Sequence, residues 1–171
     1  MVILLSGYRG SGKTSVGRKL ADRLWWKFLD LDALVQKKAG MSIRDIFEKH
    51  GEERFRDLES EALREALALS DHVVALGGGT LVREENRAAV EAADCRVFYL
   101  RCEPEELIRR IEADSKTQLT RPPLTHLGGG IDEVRAKLNE REGVYRQTAD
   151  VELDVTSLSV DEVVARLARF V

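Results

Sequence analysis

Residues 2–24 read VILLSGYRGSGKTSVGRKLADRL. The apolar run Val2–Leu5 has the length and composition of a short buried strand. Three glycines, a lysine and a threonine then fall within Gly7–Thr14. Beyond them Val16, Leu20 and Leu24 recur at four-residue spacing, which is helical. Gly7-Tyr8-Arg9-Gly10-Ser11-Gly12-Lys13-Thr14 fits G-x-x-x-x-G-K-[ST], between a strand and a helix, the context a P-loop requires. In that motif successive backbone N–H groups curl around phosphate oxygens, and a β-carbon would obstruct the approach. The helix N-terminus adds partial positive charge. Gly10, Ser11, Gly12, Lys13, Thr14 and Ser15 are therefore the expected ATP-binding set. Lys13 supplies a point charge to the β- and γ-phosphates, and the Thr14 hydroxyl is a candidate Mg²⁺ ligand. A dinucleotide-binding reading, G-x-G-x-x-G from Gly10, fails at its sixth position, Ser15, and leaves the Lys-Thr pair without a purpose.

The rest of the composition narrows the class. At 171 residues the chain predicts one domain with a substantial core. A net charge of −3 and a pI of 5.7 point to neither a nucleic-acid nor a membrane partner. No apolar run is long enough to span a bilayer, and no signal peptide is visible. Cys95 and Cys102 lie along one predicted strand, roughly 20 Å apart at about 3.3 Å per residue. A disulfide needs Cα atoms within about 7 Å, so the pair fits a reduced, cytoplasmic protein. The three histidines show no metal-binding spacing.

The order of elements predicts α/β architecture. Strands are expected at KFLDLD (27–32), HVVAL (72–76), RVFYL (96–100) and VELDV (151–155). Between them fall helical stretches: SIRDIF onward, broken near Gly51, then REENRAAVEAA, PEELIRRIEA opened by Pro104, and DEVRAKLNEREGVYRQTA. A closing helix follows Ser159, a good N-cap. Alternation of this kind predicts a mostly parallel sheet with helices on both faces. Ligands in such sheets bind beyond the C-terminal strand ends, where the glycine stretch, Asp30-Leu-Asp32 and Gly77-Gly78-Gly79 all fall.

Each of these further features carries two readings. Asp30 and Asp32 suit metal organisation and acceptance of a hydroxyl proton, or Asp32 simply caps the helix ALVQKK. Arg56 and Glu59 form an exposed i,i+3 ion pair, or Glu59 holds Arg56 ready to grip an anion. The glycine triplet is a tight turn, or a place where backbone approaches something bulky. Residues 114–130 are a surface loop, or a lid whose closing glycines absorb backbone rotation.

In order, these motifs resemble those of the shikimate kinase family, over essentially the whole chain. The resemblance rests on Gly7–Thr14, Asp30-Leu-Asp32, Gly51-Glu52 with Phe55-Arg56 and Glu59, Gly77–Gly79, Arg121-Pro122, and Arg141 with Tyr145. It implies a single-domain P-loop kinase over 1–171 with a five-stranded parallel sheet, helices on both faces and a mobile lid. It further implies transfer of the ATP γ-phosphate to the shikimate 3-hydroxyl by a cytoplasmic monomer that uses Mg²⁺. Asp32 would contact ring hydroxyls and act as base. Arg56, Arg141 and the N–H groups of Gly78 and Gly79 would bind the carboxylate. Asp30 and Thr14 would organise the metal, Arg121 would reach the transferring phosphate from the lid, and Arg110 would lie against adenine. A kinase of another small polyol, such as gluconate, would share the P-loop and lid without needing Asp32, Arg56 and the triplet together.

Overall fold

The computed structural model describes residues 1–114 and 130–171. Five strands form one parallel sheet: β1 (Val2–Ser6), β2 (Lys27–Asp30), β3 (His72–Ala75), β4 (Cys95–Arg101) and β5 (Val151–Asp154). Their order is β2-β3-β1-β4-β5. β1 is central because all five of its residues are buried, and only a strand covered on both faces can be apolar throughout. Its alternation divides the core. Ile3 and Leu5 pack with Val16, Leu20, Leu107 and Leu138 on one face; Val2 and Leu4 pack with Leu31, Ile46 and Leu63 on the other.

Seven α-helices among the described residues follow from this division: α1 (Lys13–Leu24), α2 (Leu31–Ala39), α3 (Ile43–Leu67), α4 (Glu84–Glu91), α5 (Pro104–Ala113), α6 (Ile131–Thr148) and α7 (Val160–Leu167). Helices α1, α5, α6 and α7 cover the first face, and α2, α3 and α4 the second. The result is the three-layer α/β architecture that the sequence predicts. Ser159 caps α7 in a reciprocal capping box: its hydroxyl accepts from Glu162 N, and Glu162 accepts from Ser159 N at 2.8 Å. Cys95 and Cys102 are both free. No helix among the described residues is long and apolar enough to cross a membrane.

One local outcome differs from the sequence reading, and one expected break is found. β2 stops at Asp30 rather than continuing through Asp32, because Asp30 itself caps α2. Its Oδ1 accepts from the backbone N–H of Asp32 at 3.1 Å and of Ala33 at 3.4 Å. Asp32 lies in the first turn, so it is not the cap. The expected break at Gly51 takes the form of a kink within α3, with φ 83° and ψ 172°. That region of backbone space is open essentially to glycine alone. The kink directs the half of α3 bearing Phe55, Arg56 and Glu59.

These two glycine environments make opposite predictions. Nothing lies within 4 Å of a β-carbon built on Gly51 or on Gly143, which is an interior residue of α6. Gly51→Ala should nonetheless lose about 1–3 kcal/mol from backbone strain alone. Gly143→Ala should gain roughly 0.5–1 kcal/mol, the ordinary helical preference for alanine. Thermal unfolding of both variants checks this: Tm should fall for Gly51→Ala and rise for Gly143→Ala.

Candidate active site

The loop Gly7–Gly12 joins β1 to α1, and Lys13 opens the helix. Gly7, Gly10 and Gly12 all have positive φ, so the loop's path itself requires glycine. Close packing adds to this. A β-carbon on Gly7 would meet the Leu100 carbonyl oxygen at 2.7 Å, and one on Gly10 would meet the Leu107 carbonyl at 3.1 Å. The glycines thus serve the loop's own seat on β4 and α5 as well as any approach by a ligand. Lys13 Nζ donates to the carbonyls of Gly7 at 2.7 Å and Tyr8 at 2.9 Å, which holds the ammonium over the loop. The Thr14 hydroxyl donates to Asp30 Oδ2 at 3.0 Å.

These groups line a cleft of about 650 Å³ beyond the strand C-termini, together with Gly10, Gly12, Ser15, Asp32, Gly78 and Arg110. Ser11 belongs to the loop, but its side chain is buried beneath it. Arg110 stands at the far rim. It donates through Nε to Glu106 at 2.6 Å and through Nη2 to the carbonyls of Val155 at 3.0 Å and Thr156 at 3.3 Å. Hydrogen bonds from Arg109 and Arg110 bring the Glu106 carboxyl down to about 2, so it stays ionised and anchors Arg110. The segment near 155–158 therefore meets the cleft through backbone carbonyls that fix Arg110, and Leu158 joins the wall.

A second cavity of about 400 Å³ adjoins the first, bounded by Phe47, Phe55, Arg56, Glu59, Gly77–Gly79 and Arg141. Arg9, Asp32, Ile43 and Gly78 line both. Glu59 organises the second cavity. It is 1% exposed, and its carboxylate accepts from Arg56 Nη1 at 2.7 Å and from the Thr80 hydroxyl at 2.7 Å. The Arg56–Glu59 pair is thus a buried clamp and not a solvated surface pair. The glycine triplet explains itself by close approach. A β-carbon on Gly79 would lie 2.6 Å from Arg56 Nη1, and one on Gly77 would lie 2.6 Å from Glu59 Oε1. From α6, Tyr145 donates its hydroxyl to the Gly78 carbonyl and stacks on Tyr99 with ring centroids 5.1 Å apart. Burial pushes Tyr145 up to about 12, so it remains a donor at neutral pH.

The structure therefore brings together Lys13, Thr14, Asp30, Asp32, Gly78 and Arg110 in one cavity, and Asp32, Arg56, Gly78, Gly79 and Arg141 in the next. Arg121 and nearly all of the expected lid lie outside the described residues; Asp114 at its start lines the first cavity. The sequence reading missed Arg9, Lys137 and Phe47, and held Phe55 only as part of a motif; the two phenylalanine rings are 4.8 Å apart and floor the cavity. Lys137, Arg141 and Tyr145 recur every four residues on α6, a face that was visible in the sequence.

A family model described as shikimate kinase matches residues 9–171. The chain belongs to the shikimate kinase family. A shikimate kinase from Caldanaerobacter subterraneus subsp. tengcongensis is 41% identical over 167 residues, covering 98% of this chain and 94% of that one. Among solved structures, a shikimate kinase from Acinetobacter baumannii in complex with shikimate aligns with a TM-score of 0.90 at 31% identity, covering 99% of this chain and 91% of that one. A gluconokinase from Sinorhizobium meliloti aligns at 0.61 and 22% identity, covering 99% and 92%, which shows a shared fold alone.

The fold should depend on Glu59 for more than one bond. Glu59→Ala leaves the Thr80 hydroxyl without its acceptor and Arg56 with only its longer contact to Glu52 at 3.4 Å. We expect a loss of about 3 kcal/mol, at the low end for a broken buried pair because Arg56 reaches the cavity. Glu59→Gln keeps an oxygen for Thr80 and should lose less, roughly 1.5–3 kcal/mol. Chemical denaturation of both variants checks the order; equal stability of Glu59→Ala and wild type would contradict it.

Proposed function

We propose that the two cavities are the nucleotide and acceptor halves of one phosphoryl-transfer site, and that the reaction is transfer of the ATP γ-phosphoryl group to the 3-hydroxyl of shikimate. The observation that carries this reading is the shared wall. Asp32 and Gly78 border both the P-loop cleft and the cavity holding Arg56 and Arg141. A small anionic polyol seated by its carboxylate on two arginines would present its hydroxyls toward that wall.

In this reading Arg56, Arg141 and the N–H groups of Gly78 and Gly79 bind the carboxylate, with Glu59 fixing the Arg56 fork. Asp32 accepts the hydroxyl proton as the oxygen attacks Pγ. The bond from Pγ to the β–γ bridging oxygen breaks, and ADP departs with that electron pair. Gly10, Ser11, Gly12, Lys13, Thr14 and Ser15 bind the phosphates, Arg110 lies against the adenine, and Arg121 belongs to a lid over 114–130. Phosphoryl transfer needs positioning and charge neutralisation more than covalent chemistry. Mg²⁺ would bind at Thr14 and Asp30 and neutralise phosphate charge. Their oxygens, 3.0 Å apart, are the hard donors that ion prefers. The working form is a cytoplasmic monomer of one kinase domain.

Asp32→Asn tests the proton acceptor apart from stability. Because Asp30 is the cap of α2, Tm should hardly change. We expect kcat to fall by roughly 10²–10⁴, the usual contribution of a general base. Retained turnover with a lowered Tm would assign Asp32 to the fold instead.

The acceptor is tested by ADP release over a panel of shikimate, gluconate and nucleoside monophosphates. Shikimate should give the highest kcat/KM. Arg56→Ala and Arg141→Ala should each raise its KM about ten-fold or more, with ATP affinity unchanged. Arg56→Lys should not restore it, because an ammonium cannot present a two-pronged donor. A better acceptor on the panel would replace shikimate while leaving the kinase reading intact.

A further inference from the structure

Four arginines line the two cavities: Arg9, Arg56, Arg110 and Arg141. Three are held by neighbours. Arg56 pairs with Glu59 and Glu52, Arg110 pairs with Glu106, and Arg141 faces the Tyr145 hydroxyl. Arg9 differs. Its Nε is buried without a hydrogen-bond partner, and no carboxylate among the described residues pairs with its guanidinium. A buried donor on a cation is expensive to leave unpaired, so such a group marks a place where an acceptor is expected. Arg9 also lies at the boundary, lining both cavities beside Asp32 and Gly78. Its own backbone nitrogen is 3.7 Å from where a Gly78 β-carbon would sit. Burial raises the Tyr8 phenol, while the charges of Arg9 and Arg141 both draw it down.

The geometry points to Arg9 as a cation for the transferring phosphoryl group, contacting an equatorial oxygen of the γ-phosphate at the boundary between the two cavities. The inference rests on the phosphoryl-transfer reading of the site. Asp32 and Arg9 then act on opposite partners of one step. The acceptor oxygen forms its bond to phosphorus and gives its proton to Asp32. The β–γ bridging oxygen leaves with the electron pair, and Arg9 balances the charge on the oxygens that remain on phosphorus. Arg9 is carried by the P-loop itself, whose path is fixed by Gly7, Gly10 and Gly12. Its charge is therefore in place before any other segment moves, and preorganised charge of this kind is what accelerates transfer.

The test compares wild type with Arg9→Met, which keeps length and removes charge, and with Arg9→Lys. Arg9→Gln is a second neutral variant should Arg9→Met fail to give a cooperative melt. Binding is read by calorimetry with ADP and with β,γ-methylene-ATP, neither of which needs an acceptor. For the neutral variants we expect ADP affinity within about two-fold of wild type and β,γ-methylene-ATP affinity about ten-fold weaker, the loss of one charge-assisted bond. With shikimate, kcat should fall by roughly 10² or more with little change in the shikimate KM. Arg9→Lys should recover part of kcat. If triphosphate and diphosphate affinities change equally, or if the shikimate KM rises while kcat holds, Arg9 does not serve the transferring group. If wild type prefers another acceptor while the triphosphate discrimination depends on Arg9, the acceptor assignment fails and this inference stands.

Discussion

The carboxylate of Glu59 is the contact on which the cavity beside the P-loop cleft depends. It is the meeting point of α3 and the turn after β3, elements that no strand pairing joins. One oxygen takes the Thr80 hydroxyl and the other takes Arg56. A carboxylate so far from water is tolerable only when donors surround it. The donors come from the very elements that form the cavity. Folding and site assembly are thus one event: burying Glu59 requires the Thr80 hydroxyl, and the Arg56 guanidinium is aimed in consequence. The glycine turn follows from the same constraint, because any side chain at Gly77 or Gly79 would occupy the space of the clamp.

The sheet order accounts for the rest of the arrangement. With β1 between β3 and β4, the P-loop after β1 stands between the glycine turn after β3 and the start of α5 after β4. The β1–β3 neighbourhood puts the Gly7–Gly12 loop against the second cavity. The β1–β4 neighbourhood seats the same loop against α5, whose Arg110 reaches the carbonyls after β5. The two halves of the site therefore lie on opposite sides of one loop. The strands beside β1 are distant from it in sequence, and the loops that follow them meet at one edge because all strands are parallel.

Where the sequence was legible, the signal was local. The strand–glycine–helix pattern at Val2–Leu24, Pro104 at the start of α5 and Ser159 before α7 each follow from rules acting over a few residues. The division of labour between Asp30 and Asp32 was not legible. Both residues can cap, and which one does depends on where β2 stops pairing with β3, a long-range register fixed at Asp30 against Ala75. The burial of Glu59 was equally hidden, since an i,i+3 Arg–Glu spacing looks the same on a wet face as in a clamp. Arg9 occupies a position that the P-loop pattern leaves open, so the motif says nothing of it. Only the juxtaposition of two cavities gives that side chain a role. The expected lid carrying Arg121 lies outside the described residues, and its part in the site is argued from the resemblance alone.

The charges at the site divide by whether the fold supplies their partner. Arg56 and Arg110 have carboxylates of their own, which fixes their direction and reduces what they offer to a ligand. Such arginines suit recognition of a ground state, where geometry matters more than field strength. Lys13, at the start of α1, bonds to neutral carbonyls of its own loop, and Arg9 has no carboxylate among the described residues. On the proposed reading the field of Arg9, whose Nε is buried without a hydrogen-bond partner, remains available for charge that changes during transfer. The fold thus aims Arg56 into the second cavity through Glu59 and leaves Arg9 Nε unpartnered at the boundary between the two cavities. On the proposed reading Asp32, which lines both cavities, takes up the proton that transfer releases.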